Sequence, residues 1–570
     1  MDGKRLDPAW LRHQIVGVDS TFETPFGERL MVYCDYTASG RCLRFVESYL
    51  QSLQRVYANT HTEDDITGRS MSQLLHEAEV AIKASVNAGP NGRIVACGTG
   101  ATGAIDKLQQ IIGVALAPAT RKNIEDIVGQ PMDMLLCDRK PIVFVGPYEH
   151  HSNELSWRQS LAESIEVRLD TAGNIDLGHL EELLKAPEYK DRLRIGSFSA
   201  ASNVTGIKSN VREITELLHR YGALACFDYA ACAPYVEIDM NPAAVDDADA
   251  SIDAIFVSPH KFLGGPGSSG VLVFNERIYH RELPPSVSAG GTVDYVGPSD
   301  QDFIPRIEER EKAGTPGVLQ TLKAALVFQI KDRVGVDVIE KRERTLTKRA
   351  LDSWSEDDNI EVLGNPDPEQ RVGIMSFNVK DDRGNYLHHK FVTALLNDLF
   401  GIQSRAGCSC AGPYGHRLLE IDEETSERFR QVVAQGYCGM KPGWCRVGLH
   451  WVMDDAEANY VIDAVHFVAR HGHRFLSLYN FDLTTGTWSH KQDCCELPEF
   501  SLDAALVEDE GEPATLSLAL RKQLYNHYMT EASRWVDRLS EGPAESFTSL
   551  EGELGELQFF ALPEDASRKH

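Results

Sequence analysis

Residues 252–274 read IDAIFVSPHKFLGGPGSSGVLVF, and the fold turns on how that stretch is understood. Two apolar runs rich in β-branched residues, 252–257 and 271–274, have the length and composition of short buried strands. Between them lies a polar, glycine-rich loop carrying Ser258, His260 and Lys261. A lysine at the mouth of a sheet is partly desolvated, and burial lowers an amine's pKa until it is a usable nucleophile. Taken alone, the segment fits a loop lysine beside a structural histidine just as well.

Working outward, five apolar runs are each followed at once by a polar or small-residue cluster. Residues 93–97 precede GTGATGAID, 142–145 precede GPYEHHSNELSW, 194–198 precede SAASNVTG, 224–227 precede DYAACAPY, and 252–257 precede SPHK. Before them, MVYCDYTASG reads as a strand ending in a small-residue turn. Residues 70–87 have helical spacing, with Leu74, Leu75, Ala78, Val80, Ala81 and Ile82, and stop at Gly89-Pro90. Strands alternating with helices imply an α/β domain with a mainly parallel central sheet, whose ligands lie beyond the strands' carboxyl ends. Five clusters therefore converge on one site.

A chain of 570 residues exceeds one compact core. The expected division is an N-terminal arm (1–32), a large domain (33–330), a smaller α+β domain (331–480) and an acidic extension (481–570). A long helical run from 318 leads out of the large domain. Then come a strand at 373–379, a helix at 387–400, the loop QSRAGCSCAGPYGHR, a strand at 444–449 and a helix at about 455–470. The extension is poorly patterned apart from one helix expected over 514–539.

A formal net charge of −28 argues against a nucleic-acid partner, whose binding needs a basic face, although it leaves room for local basic patches. No apolar run approaches the roughly 18 residues that span a bilayer, and MDGKRLDPAW lacks the apolar core of an export signal, so a cytoplasmic protein without membrane contact is expected. Its 12 cysteines then read as reduced thiols. Cys408 with Cys410, and Cys494 with Cys495, have neither CxxC spacing nor a second pair nearby, so no metal site is expected.

The five clusters suggest one chemistry. Gly100, Ala101 and Thr102 open a helix, whose free N–H groups and a hydroxyl suit a phosphate. Asp228 can keep a heterocyclic nitrogen protonated. His150 offers a flat aromatic face, Asn203 a neutral amide and Lys261 an amine. Phosphate cradle, aromatic stack, aspartate and lysine are together what pyridoxal phosphate asks of a protein.

From about residue 33 to about residue 470 the chain resembles the class V aminotransferase family of pyridoxal-phosphate enzymes, of fold type I, and most closely its group II cysteine desulfurases. The likeness rests on Glu149-His150 with His151, Asn153 and Trp157, on Ser202 to Gly206 (SNVTG), on Asp228, and on Ser258 to Lys261 (SPHK). It implies that Lys261 attaches the cofactor, His150 stacks on its ring, Asp228 pairs with its ring nitrogen, and Ser258, His260 and Thr102 hold its phosphate, with Ala101 alongside. It also implies a homodimer in which a Gly-Gly turn, here Gly290, Gly291 and Thr292, completes the partner's phosphate site. Where the family has a glutamine three residues after the aspartate, this chain has Ala231, so that contact comes from elsewhere, such as Asn203, or is absent.

The loop from 403 to 416 distinguishes members of the family. Its pattern of arginine, glycine, cysteine, alanine and proline at offsets 0, 2, 5, 6 and 8 is met by Arg405, Gly407, Cys410, Ala411 and Pro413. A guanidinium binds both oxygens of a carboxylate, and Arg405 and Arg446 are the two candidates for a substrate carboxylate. Cys410 resembles the nucleophile that takes sulfur as a persulfide, and a thiolate near two cations is favoured. Its alternative role is a small buried hydrophobe. The implied reaction is L-cysteine to L-alanine, with the sulfur passed on to an acceptor protein or thiol. Carbon-sulfur lysis, transamination or epimerisation on the same cofactor, and a non-catalytic scaffold, remain as alternatives.

Overall fold

In the computed structural model, which describes residues 5–60, 62, 64–246, 248–492, 515–540 and 548–563, each of the five apolar runs is a strand. They are Gly92–Cys97, Ile142–Val145, Arg194–Ser199, Leu224–Asp228 and Ala254–Val257. With Gly270–Asn275 and Glu163–Glu166 they form a seven-stranded sheet in the order 92–97, 270–275, 254–257, 224–228, 194–199, 142–145, 163–166. Only the 270–275 strand runs against the others, pairing antiparallel with both neighbours. The mainly parallel α/β expectation holds. Burial on both faces explains the continuous apolar runs, with Phe144, Phe198, Phe227, Phe256 and Phe274 fully enclosed. The strand at Glu163–Glu166 gave no such signal, because an edge strand reading ESIE stays half solvated.

The chain divides into two compact units. One comprises Met1–Asp7, Thr37–Lys341 and Gln370–Val372 and contains the seven-stranded sheet. The other comprises Pro8–Tyr36, Arg342–Glu369 and Gly373–His570. In this division most of the N-terminal arm groups with the second unit, as does the described part of the extension.

In that second unit, Ile360–Val362, Ile374–Val379, Trp444–Gly448 and Arg405–Gly407 form a four-stranded antiparallel sheet in that order. The arm is bound in by Val32–Tyr33, which pairs in parallel with Ile402–Gln403. Buried Arg12 donates to Asp19 at 2.9 Å and Glu457 at 3.1 Å. The helix expected over 514–539 is Leu518–Ser540, and it is no loose appendage. Arg521 donates to Asp454 at 2.6 Å, and the Tyr525 ring stacks on Tyr460 with centroids 4.3 Å apart. A hairpin at Tyr479–Asp482 and Thr487–His490 precedes it, and Phe560 further on lies edge-on to His388. Cys494 and Cys495 lie outside the described residues. The helical run from 318 is two helices, Val318–Val334 and Val336–Trp354, parted at Gly335, where φ is 92°. Among the described residues no helix is long and apolar enough to cross a membrane.

One buried carboxylate ties the site-bearing ends of two strands together. Glu149 accepts from Gly146 N at 3.1 Å, Ser199 N at 2.8 Å, Ser199 Oγ at 2.7 Å and Asn153 Nδ2 at 2.7 Å. Asn153 Oδ1 in turn accepts from Trp157 Nε1 at 3.0 Å and Ser197 Oγ at 2.6 Å. The conspicuous Glu-His-His-Ser-Asn…Trp string is therefore largely scaffold, and it fixes the backbone from which His150 projects. Burial pushes the Glu149 carboxyl up to about 7 against the pull of these donors. Glu149→Gln turns an amide NH2 toward N–H groups that need an acceptor, so it is expected to destabilise the fold by about 2 kcal/mol. Urea unfolding of both proteins measures the difference.

Candidate active site

The candidate residues of the large unit stand at the carboxyl ends of strands that run in one direction. Helix Gly100–Ile111 starts three residues after its strand, and its cap position Thr99 makes no side-chain bond to the first turn. Ala101 N donates to Ser258 Oγ at 2.9 Å. Gly100 has φ +61°, and a β-carbon there would stand 2.8 Å from Ser258 Oγ and 2.9 Å from His260 Cε1. Gly270 presses on the same point, since its β-carbon would meet Gly100 O at 2.2 Å. Helix start, serine and histidine thus meet with glycine where a side chain would intrude.

Thr102 joins this cradle through Ser152. Its Oγ1 lies 2.7 Å from Ser152 Oγ, which lies 3.1 Å from His150 Nδ1. Ser152 N also donates to His150 Nδ1, which leaves the ring proton on Nε2. Ser152 was not singled out in the sequence. Only its place two residues after His150 could have drawn attention to it.

The lysine loop is clamped by the small-residue turn near residue 40. Gly40 N donates to His260 O at 2.9 Å, Gly264 N donates to Arg41 O at 2.7 Å, and a β-carbon on Gly40 would stand 1.9 Å from Phe262 O. Lys261 is half-buried and acts electrostatically on Asp228. Burial raises the Asp228 carboxyl, while the Ala230 N–H and the Lys261 charge pull it down. His260 is driven down to about 4 by burial and by Lys261, so it is neutral at pH 7. Asn203 is presented by a tight turn in which Ser202 Oγ accepts from Val204 N at 3.1 Å and Thr205 N at 3.2 Å. Ala231 is buried and offers no polar side chain.

The Gly290-Gly291-Thr292 turn stands apart from this cluster in its bonding. Thr292 is fully buried and its hydroxyl donates to Ala289 O at 2.7 Å, while Gly291 lines a cavity of about 650 Å³ with Arg69, His76 and Lys312.

In the second unit, Arg405 and Arg446 are direct partners across two antiparallel strands. They are not bare cations. Asp35 Oδ2 accepts from Arg405 Nε at 2.9 Å and Asp35 Oδ1 from Arg446 Nη2 at 3.1 Å. Asp35 was read only as part of a strand, and its 370-residue separation from Arg405 hid the pairing. Cys408 and Cys410 are both exposed, which removes the buried-hydrophobe alternative for Cys410. Ala411 N donates to Cys408 O at 3.1 Å, and between them Ser409 and Cys410 have φ of 52° and 57°. Two successive non-glycine residues in the left-handed region make a strained turn of the primed type, with Cys410 at its tip.

Residues 127–461 match the family described as Aminotransferase class-V. A probable cysteine desulfurase of Halalkalibacterium halodurans is 30% identical over 275 residues, 48% of this chain and 62% of that protein. The matched part therefore spans less than two thirds of that relative. Two solved structures share the fold. An apo cysteine desulfurase from Thermococcus onnurineus NA1 has a TM-score of 0.61 at 21% identity, covering 77% of this chain and 94% of its own. A cysteine desulfurase from Escherichia coli has a TM-score of 0.60 at 19% identity, covering 81% and 98%.

A side chain at Gly100 has to displace Ser258 or His260. Gly100→Ala is expected to destabilise the protein by at least about 1 kcal/mol, from the left-handed backbone alone. It should also abolish retention of a phosphate-bearing ligand, which equilibrium dialysis with pyridoxal phosphate measures.

Proposed function

Because the chain belongs to the aminotransferase class-V family, we propose that it is a pyridoxal-phosphate enzyme converting L-cysteine to L-alanine, with the sulfur retained on Cys410 as a persulfide. The observation that carries this reading is the joint placement of an anion cradle, a buried aspartate and a half-buried lysine at one end of one sheet. The donor set fits the cofactor. Ala101, Ser258, Thr102 and His260 are all neutral, the space at Gly100 lacks a β-carbon, and no carboxylate hydrogen-bonds into the cradle among the described residues. Asp228 fits too, since its charge is disfavoured by burial and is relieved by a cationic ring nitrogen.

When bound, pyridoxal phosphate supplies an electron sink for the bonds at the substrate's α-carbon. Each residue of the chain then has a stated task. Lys261 Nζ attaches the cofactor and carries protons to and from the substrate. The Asp228 carboxylate holds the proton on the ring nitrogen. His150 supplies a flat face whose Nδ1 is already committed to Ser152, so its orientation is fixed before ligand arrives. His260, neutral at pH 7, binds phosphate as a hydrogen-bond donor. Asn203 serves the ring's oxygen in place of the missing glutamine at Ala231.

Arg405 and Arg446 hold the substrate carboxylate in this reading. Cys410 Sγ, as a thiolate, bonds to the substrate sulfur as the carbon–sulfur bond breaks. The electron pair of that bond stays with carbon, which takes up a proton, and the sulfur remains as the cysteine's persulfide until an acceptor protein or thiol removes it. An exposed, strained turn suits a residue that must meet both substrate and acceptor. The assembly is a homodimer, cytoplasmic, in which the turn at Gly291 and Thr292 completes the partner's phosphate site. For Thr292 to donate there, its bond to Ala289 O must be exchanged.

The reconstituted protein is expected to be yellow, and Lys261→Ala to lose that colour while remaining folded. Borohydride reduction and peptide mapping should label Lys261, and label on another lysine refutes the assignment. Cys410→Ala should bind cofactor and substrate yet lose at least about a hundredfold in turnover of cysteine, as removal of a nucleophile does. Cys408→Ala should lose much less. Near-normal turnover by Cys410→Ala identifies a lyase or transaminase instead.

A further inference from the structure

Two arginines directly opposite each other on neighbouring strands repel, and such like-charged cross-strand pairs are destabilising. What permits this pair is Asp35, whose neighbour Cys34 is held by backbone bonds to the segments around both arginines. Cys34 N donates to Gln403 O at 2.9 Å, two residues before Arg405. Gly448 N donates to Cys34 O at 2.7 Å, two residues after Arg446. The backbone beside Asp35 is thus stitched to the 402–403 strand just before Arg405 and to the strand that carries Arg446, and its carboxylate falls between the two guanidinium groups with one oxygen for each.

The exposures differ in a telling way. The Arg446 side chain is 4% exposed and that of Asp35 14%, whereas that of Arg405 is 48% exposed. Asp35 takes Arg405 by Nε, so the two Nη groups, which form the end of the fork, are not used by it. Among the described residues Arg405 has no other ion-pair partner. Among themselves these three side chains, two cations and one anion, sum to +1, and Arg405 gives them an exposed side.

We infer that Asp35 is a positioning and specificity-determining residue: it orients the Arg405–Arg446 pair and trims its charge to match one carboxylate, so that the site takes monocarboxylic amino acids and disfavours dicarboxylic ones. The inference rests on the proposed role of these arginines as the substrate-carboxylate site. A second carboxylate brought to a +1 cluster meets the Asp35 charge. Without that charge the cluster is +2 and accepts a dianion more readily. Orientation suffers as well, because Arg405 is then a long, solvated side chain that has to be ordered by the ligand itself.

The test is calorimetric binding of L-alanine and L-aspartate to the full-length, pyridoxal-phosphate-loaded protein. Wild type is expected to prefer alanine. Asp35→Asn should weaken alanine binding by about fivefold and narrow the preference over aspartate by at least about fivefold, as expected for loss of one partly exposed charge. Asp35→Glu, which keeps the charge, should keep the preference, and it carries the test if the asparagine variant does not fold. An equal change for both ligands in Asp35→Asn, or loss of the preference in a folded Asp35→Glu, overturns the inference and leaves the carboxylate site standing. Binding of neither amino acid by wild type overturns the carboxylate site itself.

Discussion

Everything at the carboxyl end of the large sheet depends on one close approach, that of the helix start at Gly100 to Ser258 and His260. The antiparallel strand at Gly270–Asn275 makes it possible. That strand inserts between Gly92–Cys97 and Ala254–Val257, in register from Gly270 opposite Cys97, and brings the loops that follow those two strands to one place. Glycines at 40, 265 and 270 remove the side chains that would separate these segments. The result is a ring of neutral donors around a helix start, where an anion is favoured by oriented N–H groups without any cation being buried.

The small sheet meets the opposite electrostatic problem. It places two guanidinium groups side by side, and the stable arrangement recruits a carboxylate from the N-terminal arm to lie between them. That explains why residues 8–36 belong with the second unit. An arm that supplies Asp35 and pairs Val32–Tyr33 with Ile402–Gln403 is built into the setting of the two guanidinium groups. The helix Leu518–Ser540 reinforces the same arm, since Arg29 lies over the Tyr528 ring at 4.7 Å and pairs with Glu531 at 3.3 Å.

How much of this was legible in the sequence follows from which forces leave local marks. Buried strands of a mainly parallel sheet are continuously apolar, and every one of the five runs proved to be a strand, with the candidate residues at its end or in the loop that follows. The cradle residues were legible because they follow those strands directly. Ser152 and Asp35 were not, because a hydroxyl bridge and an ion pair between distant segments have no period or spacing. Asn153 and Trp157 stand out in the sequence as part of a family pattern, and in the structure these side chains brace one another and Glu149. The hairpin at 479–490 does alternate, with Tyr479, Phe481, Trp488 and His490 on its buried face, but each strand is four residues long, too short for the period to stand out in the sequence.

The most direct measurement of the central claim is the product balance when the pyridoxal-phosphate-loaded protein turns over L-cysteine in the presence of a thiol reductant. Equal amounts of alanine and sulfide, with no pyruvate or ammonia, are the result this account predicts. Pyruvate and ammonia in place of alanine, or a keto acid without sulfide, would contradict it.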